Sequence, residues 1–112
     1  MNNNVKITYE RFKEVYDKIP GEPEFELYFN DRDETYMIIK YKNCASFQRC
    51  GGLERGTEEI DYSNLDELYN SNLVDDICLK NDWHLIDEII VDGTWGLICD
   101  KEEIKQVYNV EL

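Results

Sequence analysis

Apolar residues near the start of the chain repeat at the spacing of one helical face. They are Phe12, Val15, Tyr16 and Ile19. Thr8 precedes them and is a residue type that caps helix N-termini, whereas Pro20-Gly21 follows them and would end a helix. The pattern therefore predicts an N-terminal helix with one buried face.

Strict alternation replaces the helical spacing in residues 24–29. One side of this predicted strand carries Phe25, Leu27 and Phe29, and the other side carries Glu24, Glu26 and Tyr28. Residues 36–41 and 44–50 are rich in β-branched and aromatic side chains, which are typical of strands. These runs predict a β-meander. Gly51-Gly52 and Gly56 then predict a loop that leads into residues 58–62.

A short middle helix is predicted after these residues. Ser63 and Asp66 resemble a capping box in which aspartate stands in for the usual glutamate. The helix would run to about residue 70 and bury Leu65, Leu68 and Tyr69.

Residues 74–91 allow two interpretations. Asp92-Gly93 lies between two apolar runs and is a strong hairpin signal, so residues 89–91 and 94–98 are predicted to pair as strands. Alternatively, Asp82 could cap a helix that ends at Gly93. We favour the hairpin. Asp100 and Glu103 form a further capping pair, which predicts a C-terminal helix to about residue 108 with Ile104 and Val107 packed inward.

The succession of helix, strands, helix, strands and helix predicts an α+β fold. A length of 112 residues suits one domain, because a second core would leave each half too small to be stable alone. We therefore expect residues 1–112 to form a single domain, with Trp83, Trp95, Phe25, Phe29 and Phe47 filling its core.

Charge changes the functional picture. The net charge is −13, which argues against direct binding of nucleic acid or anionic membranes, because neutralising phosphates requires lysine and arginine. The first residues lack the apolar run of a secretory signal, and no run approaches the ~20 apolar residues of a membrane span. We expect a cytoplasmic protein whose four cysteines are reduced thiols.

The negative charge is concentrated in the middle of the chain. Residues 1–53 have a net charge of −1, whereas residues 54–92 carry twelve acids against Arg55 and Lys80, a net charge of −10. Solubility alone requires a net charge of only about 2–8 for a small domain. Like charges within a Debye length of ~10 Å repel one another, so this concentration would destabilise the fold unless a partner compensated it.

The first hypothesis is therefore a non-enzymatic binding module that occupies a basic site on a protein partner. Dense carboxylates on a rigid frame can imitate phosphates and compete for the basic groove of a nucleic-acid-binding enzyme. Natural inhibitors of restriction and CRISPR enzymes include small acidic proteins, which is an analogy of class. The predicted partner-binding residues are Glu54, Glu58, Glu59, Asp61, Asp66, Glu67, Asp75, Asp76, Asp87 and Glu88, with Tyr62 and Tyr69 as exposed aromatic anchors.

Two rival hypotheses remain. In the first, an accessory domain binds through an apolar patch or a sheet edge, and acidity serves only solubility. In the second, a small thiol enzyme uses Cys50, since the run from Gln48 to Gly52 approaches a caspase-type signature and Arg49 could lower the thiol pKa. The signature fails at Arg49, where alanine is usual, and His84, the single histidine, lies downstream of Cys50.

Other chemistry has little support. The cysteines and His84 lack the close pairing of structural zinc ligands, and residues 31–34 lack the glycine and the final glutamate of a calcium loop. No dinucleotide, phosphate-binding or nucleophile-elbow motif occurs. We therefore expect no cofactor, no metal and no catalytic residue.

Overall fold

The chain forms a helix, a meander of strands, and then short helices that alternate with strands. The structure, a computed structural model, describes residues 7–92 and 95–96. In this part of the chain the helices are α1 (Tyr9–Lys18), α2 (Gly52–Arg55), α3 (Leu65–Tyr69) and α4 (Leu79–Asp82), which continues into a 3₁₀ turn at Trp83–Leu85. The strands are β1 (Glu24–Phe29), β2 (Thr35–Lys40), β3 (Ala45–Arg49), β4 (Ile60–Tyr62), β5 (Ile86–Val91) and β6 (Trp95–Gly96).

The six strands form one antiparallel sheet in the order β4-β3-β2-β1-β5-β6. The predicted meander is confirmed as β1, β2 and β3. Strand β5 does not extend the sheet beyond β4 but returns to pair with the free side of β1. The first and second halves of the chain therefore share one sheet, and the predicted α+β class and single compact domain are confirmed.

Helix α1 forms where its spacing predicts. The Thr8 side chain accepts a hydrogen bond from the backbone N–H of Arg11, as an N-cap residue should. Phe12 is fully buried and packs edge-on against Phe25 of β1, with 5.1 Å between ring centroids. This contact seats the helix on one side of the sheet, which we call the helical side.

The opposite side of the sheet, the outer face, follows from strand alternation. Residues paired across antiparallel strands point to the same side, so the register assigns every strand position. The outer face consists of Glu24, Glu26, Tyr28, Thr35, Met37, Ile39, Ser46, Gln48, Asp61, Glu88 and Ile90. A bulge in β5 leaves Asp87 as an extra exposed residue between Ile86 and Glu88.

The hairpin interpretation of the second half is confirmed. Residues 86–91 form a strand, and Val91 pairs with Trp95 across the turn at Asp92. Asp82 ends α4 rather than starting a helix, and its carboxylate accepts a hydrogen bond from the backbone N–H of Cys78. The predicted C-terminal helix lies outside the described residues.

Two local predictions are wrong by small margins. Helix α3 begins one residue later than expected, because Asn64 rather than Ser63 caps the backbone N–H of Glu67. The predicted loop after β3 contains the short helix α2. Its tight return to the sheet needs Gly56, where an added Cβ would lie 2.7 Å from the carbonyl oxygen of Gly52 and 2.9 Å from that of Arg49.

Most of the aromatic residues predicted to fill the core are buried in it. Phe25, Phe29 and Phe47 are buried. Trp83 is half-buried at the edge of the core, where its indole N–H donates to the carbonyl oxygen of Ile7 at 2.9 Å. The side chain of Trp95 lies outside the description.

Candidate functional site

Both basic residues in the described strands point to the helical side. The Lys40 ammonium donates to the carbonyl oxygens of Tyr16 and Ile19 at 2.7 and 2.8 Å, so it satisfies the C-terminal end of α1. The Arg49 guanidinium lies 2.7 Å from a carboxylate oxygen of Asp75 and also donates to the carbonyl oxygen of Arg55. Their positive charges are therefore used internally.

The outer face is acidic by contrast. Its strand positions include Glu24, Glu26, Asp61 and Glu88, and within the strands described none of its positions is lysine or arginine. Glu24 and Glu26 are separated by about 7 Å along β1, and Glu26 and Glu88 are diagonal neighbours at about 7–8 Å. These separations are shorter than the Debye length of ~10 Å at 0.1 M salt, so neighbouring carboxylates in this group repel one another.

Tyr28 lies within this acidic group. It pairs directly with Glu88 across the strands, and its hydroxyl donates to the Glu26 carboxylate at 2.8 Å. That hydrogen bond, together with partial burial and the charges of Glu26 and Glu88, raises the pKa of Tyr28. The outer face therefore presents a neutral, half-buried aromatic ring among carboxylates.

A second polar group continues the outer face toward β4. The Glu59 carboxylate, just before that strand, accepts hydrogen bonds from the hydroxyls of Tyr41 and Ser46 at 2.6 and 2.7 Å. Donation to Glu59 satisfies the hydroxyl of Ser46, which is fully buried. The hydrogen bond to Glu59 is also the main reason that the pKa of Tyr41 rises to about 12. Glu59 and the exposed Asp61 thus form the acidic margin of the face.

A cavity of about 450 Å³ opens at the end of the outer face near α2. Met37 and Gln48 from the sheet line it together with Cys50, the Gly51-Gly52 backbone and Thr57. Burial raises the pKa of the Cys50 thiol, and the nearby charges of Glu26 and Glu24 raise it further. The negative field of the outer face therefore extends to this cavity.

No protein-family model, curated protein or solved structure matches this chain. The functional interpretation consequently rests on where the side chains lie.

Asp66 and Glu67, two of the predicted partner-binding residues, lie on α3 on the helical side and have structural roles. Asp66 is bound by the Lys13 ammonium at 2.5 Å and by the Tyr9 hydroxyl at 2.7 Å, and these hydrogen bonds lower its pKa. Glu67 accepts from the backbone N–H of Ser63 near the start of α3. Both residues are exposed, but Asp66 is already paired with a lysine from the first half of the chain.

Asp75 and Asp76 occupy a tight turn between Val74 and Ile77, and both have left-handed backbone conformations with φ of 51° and 60°. Asp75 accepts from the Tyr36 hydroxyl at 2.5 Å and from Arg49. Burial of Asp75 opposes ionisation, but the hydrogen bonds from Tyr36 and Arg49 outweigh it and lower the pKa. Asp75 is therefore a structural tie between the turn and the sheet.

The remaining predicted acids lie at separate places. Glu54 is on α2, Glu58 precedes β4, and the bulge residue Asp87 accepts a hydrogen bond from Asn30. Strands β4 and β5 are four strand spacings apart, about 19 Å, which exceeds the Debye length of ~10 Å at 0.1 M salt. The acids of residues 54–92 are therefore spread over the fold rather than gathered in one group, and their binding of a partner stays a prediction.

The predicted aromatic anchors also need correction. Tyr62 is only 6% exposed and its hydroxyl accepts from Ser71, so it belongs to the core and is not an exposed anchor. Tyr69 is half-buried and stacks on Tyr9 with 3.5 Å between ring centroids. Tyr28 was not predicted as an aromatic anchor, although strand alternation places it on the outer face.

Glu24 and Glu26 are the acids that counting charge by segment missed. Both belong to the nearly neutral first half of the chain, so their acidity is hidden in its total. The alternation of residues 24–29 already separates them from the apolar side of β1. The missing information was the neighbour of β1, because only pairing with β5 brings Glu88 beside them.

The surroundings of Cys50 differ from those of an activated thiol. Its pKa is raised rather than lowered, and the Arg49 guanidinium is committed to Asp75. Within residues 7–92 and 95–96, no group of three or more histidine, cysteine, aspartate or glutamate side chains could hold a metal ion. In the same residues, no helix has the length and apolar character needed to cross a membrane.

Proposed function

We propose that this protein is a non-enzymatic binding module that docks the outer face of its sheet against a basic surface on a protein partner. The observation that carries the proposal is the distribution of strand charge: Glu24, Glu26, Asp61 and Glu88 point outward, whereas Lys40 and Arg49 point to the helical side. A face with acids and no bases complements a cationic surface.

Repulsion within the face favours such a partner. The strand positions of Glu24, Glu26 and Glu88 lie about 7–8 Å from their nearest neighbours in this group. Lysine or arginine from a partner would replace this repulsion with attraction. Tyr28, in the middle of the group, supplies an aromatic ring of the kind that contributes most to interface affinity.

The partner that this proposal favours is an enzyme with a basic nucleic-acid-binding groove, which the module would occupy and inhibit. Duplex DNA carries one charge per about 1.7 Å of its axis, whereas this face spreads a few carboxylates over about 19 Å. The module would thus neutralise part of a groove rather than its whole length, and Tyr28 and the neighbouring apolar side chains would supply additional contact.

The proposal is tested with two variants of equal net charge. Glu24→Lys with Glu88→Lys reverses two charges on the outer face. Glu10→Lys with Asp17→Lys makes the same change in net charge on α1. All four residues are exposed. Binding of a fluorescent oligolysine peptide is followed by anisotropy across a salt titration. We expect affinity to fall as salt rises, and the outer-face variant to bind roughly tenfold more weakly than the α1 variant.

Equal losses in the two variants would show that only net charge matters, and affinity independent of salt would show that charge does not drive binding. Either result overturns the proposal. A second assay measures DNA cleavage by restriction and RNA-guided nucleases with added protein. Inhibition that is relieved by excess DNA and lost in the outer-face variant is the result expected for a groove-occupying inhibitor.

A second candidate function rests on Leu73, a large apolar residue that is 67% exposed just beyond α3. An accessory domain could bind a partner through Leu73, with the half-buried Tyr69 four residues earlier in the chain. This association would be insensitive to salt and lost in Leu73→Ser, whereas binding by the outer face would be retained in that variant. The sheet edge at β4 is a poor alternative, because that strand has three residues.

A further inference from the structure

The floor of the cavity beside α2 is part of the outer face, and one wall is formed by the backbone of the segment after β3. Its floor is formed by Met37 of β2 and Gln48 of β3, which are direct cross-strand neighbours. Its wall is held against β3 by Thr57, whose backbone N–H donates to the carbonyl oxygen of Arg49 and whose hydroxyl accepts from the Arg49 N–H. The volume of about 450 Å³ falls within the 300–1,000 Å³ typical of ligand pockets.

The floor of the cavity combines one apolar and one amide side chain, and the nearest acid of the outer face, Glu26, lies beyond the lining on β1. Met37 offers a flexible thioether, and Gln48 is half-buried with no hydrogen bond from its side-chain amide within the described residues. Glu26 is the cross-strand neighbour of Met37 on the side opposite Gln48. Its carboxylate receives one hydrogen bond, from Tyr28, and so keeps further acceptor positions.

A cationic occupant suits this combination best. An anionic group would be repelled by Glu26 and Glu24, and the Arg49 guanidinium would not attract it, because that side chain points to the helical side and is paired with Asp75. A neutral group would gain no attraction from the Glu26 carboxylate, which lies beside Met37 and just outside the lining. Lysine and arginine have an apolar stem that can lie along Met37 and a charged head that can reach a carboxylate.

We propose that this cavity is a specificity pocket that receives one long cationic side chain from the partner. The stem packs on Met37, and the head donates to Glu26 and to the side-chain oxygen of Gln48. Arginine suits the pocket better than lysine because its planar fork can donate to both acceptors at once. The inference rests on the proposed function and narrows it: the partner surface must project an arginine or lysine beyond its neighbours.

The test uses the full chain and small probes in NMR titrations. N-acetyl-arginine amide is compared with N-acetyl-citrulline amide, which has nearly the same shape but no charge. We expect the arginine probe to shift the methyl signal of Met37 and the side-chain amide signals of Gln48, and the citrulline probe to shift them far less. Glu26→Gln should weaken the arginine probe about tenfold, whereas Glu10→Gln, the same change on α1, should leave it unchanged.

Equal shifts with both probes, or shifts scattered over the molecule, would overturn the pocket. Retained arginine binding in Glu26→Gln would also overturn it, provided that the amide spectrum shows the variant folded. These failures differ from failure of the proposed function. Oligolysine binding that depends on Glu24 and Glu88, without perturbation of Met37 and Gln48, would keep the acidic docking face and exclude the pocket.

Discussion

Replacing Asp75 by asparagine, compared with the same change at Asp76, separates the structural role of an acid from its contribution to net charge. Asp75 holds the turn at Val74–Ile77 to the sheet through Arg49 and Tyr36. Asparagine tolerates the left-handed backbone conformation at this position as well as aspartate does. The substitution therefore removes the charge and leaves the turn geometry available.

The expected loss follows from the shielding of the pair. The side chains of Arg49 and Asp75 are 29% and 24% exposed, so the ion pair is only partly screened by water. Hydrogen bonds to charged groups contribute about 1.5–3 kcal/mol, whereas fully exposed ion pairs contribute less than about 1 kcal/mol. Because asparagine retains one acceptor oxygen, we expect Asp75→Asn to lower the free energy of unfolding by about 2 kcal/mol. The corresponding fall in Tm is roughly 8–14 °C.

The assay is urea denaturation followed by circular dichroism, with Asp76→Asn as the matched control. Asp76 is the next residue and shares the left-handed conformation, but its side chain has no ion pair or hydrogen bond in the described structure. We expect a change of less than about 0.5 kcal/mol for Asp76→Asn. Equal effects of the two variants would refute the assignment of Asp75 as a structural tie.

Acid pH supplies a second readout for the same residue. The pKa of Asp75 in the folded protein is below its ordinary value of 3.8, so the carboxylate stabilises the fold above that pH and loses this contribution as pH falls through the lowered pKa. The difference in free energy of unfolding between wild type and Asp75→Asn should therefore be constant near neutral pH and disappear in strong acid. A difference that grows as pH falls would contradict the sign.

Three further outcomes are expected. Lys40→Met should lower the free energy of unfolding by about 2 kcal/mol, because the last carbonyl groups of α1 lose a charged donor. The same change at the exposed Lys42 should have little effect, and similar losses in the two variants would contradict the role of Lys40. Gly56→Ala should cost about 1–3 kcal/mol by urea denaturation, and a neutral result would contradict the close backbone contacts at this residue. Cys50 should react with a thiol reagent at pH 7 more slowly than in the urea-unfolded chain, measured by peptide mass spectrometry, because burial raises its pKa; faster reaction would revive the thiol-enzyme hypothesis.

Local elements were predictable from sequence because their causes are local. The alternation of residues 24–29 fixes which side of β1 is buried, and the spacing from Phe12 to Ile19 fixes the buried face of α1. The choice of Asn64 over Ser63 as a cap was not predictable, because both residue types cap helices and only the surrounding packing selects one.

The candidate site was only partly predictable because it depends on strand order. The outer position of Glu26 follows from alternation, but its proximity to Glu88 requires β5 to pair with β1, a contact between residues more than sixty positions apart. The pairing of Arg49 with Asp75 is likewise a contact that no local pattern signals. Counting charge along the chain shows which segment is acidic. The fold determines which face of the sheet is acidic, because it brings acids from different segments together.

The electrostatic asymmetry of the two sides of the sheet can be measured without any partner. Relaxation of backbone amide protons is compared in the presence of a cationic nitroxide and of a neutral nitroxide of the same size. We predict that the excess caused by the cationic probe is largest along β1 and β5 at Glu24, Glu26 and Glu88, and small along α1, where three acids and three bases balance. An excess of equal size on α1 and on the outer face would contradict the account.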